Sequence, residues 1–156
     1  MDSTIVLRNF LTEDAEQCSS LMQDHFRNHA ENLPIEVRNQ IADSRTSNYI
    51  RRIAKDRTII VATLDGRIVG MGALKVNEIR HMYVESKNQG RGIGSRIIKF
   101  LEREAYQKGF SSIIVNSVDH SVEFYVKNGF ISLTKTQIER HGSILEAVLL
   151  EKFLDR

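Results

Sequence analysis

The segment that most constrains this chain runs from Glu78 to Lys99. It reads as a strand, a glycine loop and a helix in immediate succession. Residues 79–84 are β-branched and aromatic enough for a strand. Gln89, Gly90, Arg91, Gly92, Ile93 and Gly94 form the loop. The helix that follows carries Ile93, Ile97, Leu101 and Ala105 on one stripe, with Arg96, Lys99 and Arg103 turned away. Gly109 ends it as the residue beyond the C-cap. The strand before this loop and the strand after this helix are expected to lie side by side and parallel.

The loop has a chemical meaning. Glycines remove side chains, so backbone N–H groups can approach a ligand closely. The first N–H groups of a helix have no internal partner, and the helix dipole adds partial positive charge there. Together they form an anion site, most often for phosphate, and Arg91 adds a full positive charge. A plain connecting turn needs one glycine, whereas three stand here at alternate positions. No Gly-Lys-Ser/Thr follows, so this is not a P-loop. The G-x-G-x-G spacing and mid-chain position also depart from the dinucleotide fingerprint.

The loop resembles the pyrophosphate loop of the GCN5-related N-acetyltransferases, whose signature Gln/Arg-x-x-Gly-x-Gly/Ala is matched from Gln89 to Gly94. The strand ending Met82, Tyr83, Val84 is similar to that family as well. So is the run Phe124, Tyr125, Val126, Lys127, Asn128, Gly129, Phe130, which resembles its late Phe/Leu-Tyr-x-x-x-Gly-Phe element. The two motifs stand in the family's order and spacing, and the likeness covers residues 4–154.

The rest of the chain is consistent with one domain over residues 1–156. At 41% hydrophobic and 27% charged residues it has a soluble globular composition. A net charge of +2 gives no argument for nucleic acid. Cys18 is the only cysteine, which excludes an internal disulfide. The N-terminal residues do not read as a signal peptide, and no apolar run approaches the roughly 20 residues of a membrane span. A cytoplasmic protein without a membrane partner is the expectation.

In chain order, residues 4–8 read as a first strand. Thr12 is placed to cap a helix whose apolar face is Ala15, Cys18, Leu21, Met22 and Phe26. Cys18 on that face reads as core. Pro34 introduces a second helix with Val37 and Ile41, and a further segment carries Tyr49, Ile50 and Ile53. Arg38, Arg45, Arg51 and Arg52 read as a solvated face; the sharper alternative is a wall of the acceptor site. Residues 58–63 and 68–76 are strands joined at Asp65-Gly66, a type I′ turn signal. Residues 111–116 form another strand, and residues 121–128 a helix closed by Gly129 and Phe130. Residues 131–137 and 143–153 are the last strands, turning near His141-Gly142. The order β-α-α-β-β-β-α-β-α-β-β defines an α+β fold, a mixed αβα sandwich.

The resemblance implies an acyl-CoA N-acyltransferase fold: a central, mostly antiparallel sheet whose parallel pair splays to admit acetyl-CoA. It places the pyrophosphate on N–H groups of Gln89, Gly90, Arg91, Gly92, Ile93, Gly94 and Ser95. It sets the pantetheine arm along the backbone of Met82, Tyr83 and Val84, with the N–H near Val84 polarising the thioester carbonyl. Asn116 is a further candidate for the arm, although the family's commoner asparagine position is Val118 here. Tyr125 is the candidate acid for the departing thiolate, and Glu78 the candidate base, through water. His81 could line the site or only pack, His120 could take part or be only a capping or surface residue before the helix bearing Tyr125, and the five histidines show no metal-ligand spacing. The implied activity is transfer of an acetyl group directly to a primary amine of a small molecule or exposed peptide, by a chain that could form a homodimer. Two alternatives stand beside it: a non-catalytic acyl-CoA-binding sensor or regulatory module, and a nucleotide-binding protein of another fold.

Overall fold

The computed structural model describes residues 4–118, 121–140 and 142–155. Strand β1 (Ile5–Asn9) passes through a 3-10 turn, Thr12–Asp14, into α1 (Ala15–Asn28). Here the sequence expectation is corrected, because the Thr12 side chain makes no cap. Asp14 organises the entry instead. Its carboxylate accepts the Leu11 N–H at 2.7 Å and two N–H groups of Arg8 at 2.7 and 2.9 Å. The Arg8 guanidinium holds this buried carboxyl below its usual range.

Two helices, α2 (Ile35–Ser44) and α3 (Ser47–Ile53), occupy the segment where the sequence outlined only one. The extra helix begins where Thr46 Oγ1 accepts the Tyr49 N–H at 3.1 Å. Next come β2 (Thr58–Leu64), β3 (Arg67–Lys75) and β4 (Glu78–Val84), a meander. Its first turn has Asp65 at φ +52° and Gly66 at φ +80°, the type I′ geometry expected of Asp-Gly. Helix α4 (Ile93–Gln107), β5 (Ser112–Ser117), α5 (Val122–Lys127), β6 (Ile131–Arg140) and β7 (Ser143–Phe153) complete the order. Gly129 at φ +94° ends α5, and the Phe130 N–H reaches back to Tyr125 O at 3.0 Å, the expected clasp. His120 and His141 lie outside the described residues.

The seven strands form one mixed sheet, β1-β2-β3-β4-β5-β7-β6, in which β4 and β5 are the parallel pair. The fold is therefore the expected α+β sandwich. The period-2 alternation of a strand explains why residues 59–62 are apolar throughout. Ile59 and Val61 face α1 and α3, while Ile60 and Ala62 face α4. The stripe Ile93, Ile97, Leu101 and Ala105 is buried as expected, joined by Ile98. Burying four such large side chains contributes about 6–12 kcal/mol as an upper estimate. A third cluster seats Leu33, Val37 and Ile41 against Leu145 of β7. Among the described residues no helix is long and apolar enough to cross a membrane.

Candidate active site

The site starts at an irregularity in β4. The β3–β4 register shifts between Met71 and Ala73, leaving His81 and Met82 together opposite Gly72. His81 adopts φ +59°, a left-handed conformation that marks a bulge. Its Nε2 lies 3.0 Å from Arg57 Nη1. A guanidinium only donates, so Nε2 accepts and the imidazole carries its proton on Nδ1. A bulge bends its strand. The parallel register between β4 and β5 closes at one pair, Glu78↔Ile114. Beyond it, toward Val84 and Ser117, the two strands leave a gap between their edges, as the sequence reading expected.

At the far end of β4, a 3-10 turn over Ser86–Asn88 leads to the glycine loop. Gln89 Nε2 donates to Val84 O at 3.2 Å, and Arg91 Nη1 donates to Asn88 Oδ1 at 2.9 Å, so both side chains brace the loop. Gly90 and Gly92 stand at φ +78° and +79°, with open space where a Cβ would sit. Gly92 is the N-cap of α4 and supplies no capping side chain, and its carbonyl accepts the Arg96 N–H at 3.1 Å. The N–H groups of Ile93, Gly94 and Ser95 thus have no intrahelical partner. This cradle of unhindered N–H groups at a 15-residue helix start fits a pyrophosphate. Gly94 has a different reason to be glycine. An added Cβ would sit 2.8 Å from Phe124 Cζ, so its bare backbone lets α5 pack against the start of α4.

A cavity of about 360 Å³ runs along the two strands, lined by residues 78–83 and 115–118. Glu78, Asn116, Tyr125, Tyr83, His25 and Arg45 are among its walls. Glu78 Oε2 accepts from Asn116 Nδ2 at 3.2 Å, and Oε1 lies 3.6 Å from Arg80 Nη1. Asn116 Oδ1 in turn accepts from Thr136 Oγ1 at 3.2 Å. The amide of Asn116, expected to serve the pantetheine arm, is therefore engaged with the candidate base. Tyr125 is 4% exposed, with its ring 5.2 Å from Phe124 and 5.4 Å from Phe130. Tyr83 turns to the α1 face, against His25 at 4.8 Å and Phe26 at 5.8 Å, while Met82 and Val84 pack toward α4.

The structure brings Glu78, Asn116 and Tyr125 to one cavity, whereas Gln89 to Ser95 lie after β4 and are not among its walls. For Arg45 the sequence favoured a solvated face over a wall of the acceptor site. Arg45 is buried, not solvated, and it lines the same cavity. A larger cavity of about 620 Å³ runs along α1 beside Arg67 and Glu85, and is lined by none of the candidate catalytic or cofactor-binding residues.

A glycine loop opening a helix, a parallel pair joined at one register position and a cavity that gathers Glu78, Asn116 and Tyr125 agree with the fold that the resemblance implied. The acetyltransferase (GNAT) domain model matches residues 21–146, and the chain belongs to that family. It is 26% identical to glucosamine 6-phosphate N-acetyltransferase 1 of Oryza sativa subsp. japonica over 92 residues, 51% of this chain. The chain spans only 56% of that relative's length. A crystal structure of a GCN5-related N-acetyltransferase (aminotransferase, class-II) from Rhodopseudomonas palustris superposes with a TM-score of 0.86 at 25% identity, covering 99% of each chain. PaiA N-acetyltransferase from Thermoplasma acidophilum, crystallised with coenzyme A, shares the fold at a TM-score of 0.75 and 19% identity, covering 96% of this chain and 99% of that one.

Proposed function

We propose that this chain is an acetyl-CoA-dependent N-acetyltransferase that moves the acetyl group directly onto a primary amine of a small molecule or an exposed peptide. The observation that supports this reading is the single register pair Glu78↔Ile114 between β4 and β5, with the cavity holding Glu78 and Tyr125 along these strands and the glycine loop following the end of β4. Acetyl-CoA, when bound, supplies the activated acyl thioester. The N–H groups from Gln89 to Ser95 hold its pyrophosphate, and the backbone of Met82, Tyr83 and Val84 holds the arm. The N–H near Val84 polarises the carbonyl. An alkylammonium with a pKa of about 10.4 must lose a proton before it can attack. Glu78, oriented by Asn116 and Arg80, takes that proton, through water. A C–N bond forms and the C–S bond breaks as the Tyr125 hydroxyl gives its proton to the departing sulfur; the second proton that the nitrogen sheds on becoming an amide restores that hydroxyl.

The test has two stages. Thermal unfolding is compared with acetyl-CoA, CoA and NAD; a ligand at about 100 times its Kd adds roughly 2.7 kcal/mol. A shift with both CoA species and none with NAD, followed by thiol release with an amine, is the expected result. CoA binding without thiol release over a broad amine panel would make the chain an acyl-CoA sensor. No CoA shift would remove both readings.

A further inference from the structure

We infer that the acceptor carries an oxyanion, a carboxylate or a phosphate, as well as its amine, and that Arg45 binds it; this rests on the acetyltransferase reading above. Arg45 follows α2 directly, and its backbone is fixed from α1: its carbonyl accepts from Ser19 Oγ at 2.5 Å and Gln23 Nε2 at 3.4 Å. Its guanidinium carbon stands 4.5 Å from the Tyr49 ring centroid and 5.9 Å from that of Phe26. Rings from two other helices thus hold the fork in place, as a preorganised binding group requires. The residue is 9% exposed and lines the 360 Å³ cavity.

What Arg45 lacks is an anion. Nη1 donates to Ser44 Oγ at 3.2 Å, and Nε is buried with no hydrogen-bond partner. Among the described residues no carboxylate lies within ion-pair distance of it. The charged and titratable groups facing this cavity are Arg45, Arg80, Glu78, His25, His81, Tyr83 and Tyr125. The one carboxylate, Glu78, is engaged by Arg80 and Asn116. His81 Nε2 already accepts from Arg57. A buried cation without a counter-charge is costly, and ring faces offset that cost only in part. A ligand oxyanion supplies the missing partner, because a guanidinium edge offers N–H groups in the geometry that carboxylate and phosphate accept. The same ligand, anchored at Arg45, would present its amine toward Glu78 across the cavity. An amine without an anion would leave the buried Arg45 without a counter-charge, which selects against it.

The experiment compares matched acceptors by thiol release. One arm sets amino acids and 4-aminobutyrate against their amides. The other sets 2-aminoethyl phosphate and glucosamine 6-phosphate against ethanolamine and glucosamine. The expected result is a preference of about ten- to a hundredfold in kcat/KM for the charged member of at least one arm, carried mainly in KM. In Arg45→Gln that ratio falls towards one; in Arg45→Lys it is partly kept. The acetyl-CoA thermal shift of each variant, read in parallel, reports that it is folded, and the wild-type ratio stands even where a variant is not. A wild-type ratio near one, turnover of neutral or cationic amines alone, or an equal loss on charged and neutral acceptors in Arg45→Gln overturns the proposal. Each of these with the wild-type CoA shift intact brings down the anion subsite alone; absence of that shift brings down the acetyltransferase reading itself.

Discussion

Gly94 offers a sharp test of how the loop is built, because its side-chain position is occupied by another element. Alanine there puts a methyl carbon 2.8 Å from Phe124 Cζ and 3.1 Å from Cε1. Ordinary carbon–carbon contact is about 3.5–4.0 Å, so the ring must retreat by roughly 0.7 Å or more. Overpacking of this kind costs about 1–3 kcal/mol. Replacing a helical glycine by alanine returns up to about 1 kcal/mol. The net expectation for Gly94→Ala is about 0–3 kcal/mol of destabilisation, at roughly 2–4 °C per kcal/mol for a chain of this size. Phe124 precedes Tyr125 directly, so turnover should fall with the displacement of α5. Thermal unfolding and thiol release measure the two effects. Gly94→Ala with Phe124→Leu should recover both, a non-additive result. Gly92→Ala is the control: it stands at φ +79° with no atom near the added carbon, so its cost of about 1–2 kcal/mol is conformational and no change at Phe124 relieves it. A Gly94→Ala protein of raised Tm and undiminished kcat, or strict additivity with Phe124→Leu, would refute the reasoning.

Glu78→Gln should lower kcat/KM by about 10²–10⁴ while the acetyl-CoA thermal shift persists; steady-state thiol release checks this. Tyr125→Phe should lower kcat tenfold or more with little change in cofactor affinity, and unchanged turnover would remove the acid role. Asp14 has a folded pKa below its ordinary 3.8, so its stabilisation is present above that value and is lost as pH falls through the folded one. Arg8→Met should therefore cost stability at pH 7 and converge on the wild type only once the pH has fallen below 3.8 and through the lower folded value, in denaturant titrations. Burial pushes the Cys18 thiol up to about 12, so iodoacetamide should label it only after unfolding; rapid labelling of the native protein would contradict the packing described.

Parts of the molecule that depend on neighbouring residues were readable in advance. Asp65-Gly66 demands positive φ at both positions and has it. The apolar stripe of α4 needs only a period of 3.6. The loop from Gln89 to Gly94 combines local backbone chemistry with local spacing. What escaped depends on residues distant in sequence. Arg45 looks like one more charge in a polar segment until Phe26 and Tyr49 close over it. The Asn116–Glu78 hydrogen bond joins residues 38 apart, and only the register of β4 on β5 brings them together. The left-handed His81 has no sequence signal, since histidine is not the residue a bulge calls for. Thr12 was a sound cap by type, but Asp14 offers a charged acceptor that also binds Arg8. Gly94 was grouped with its neighbours by spacing, although a ring from α5 accounts for its missing side chain.

The single register pair between β4 and β5 divides the sheet into two plates, β1 to β4 and β5-β7-β6. Few strand hydrogen bonds cross the line between them. What crosses it is α4, whose Ile97, Ile98 and Leu101 share a cluster with Ile60 and Leu74 on one plate and Ile113 and Leu150 on the other. The helix acts as a tie-beam, and its anchored end is the glycine cradle. A ligand gripping that end and lying along the gap would clamp both plates at once. Its grip would be felt as rigidity in amides far from any contact, so hydrogen exchange in β7 should slow on binding at the cradle.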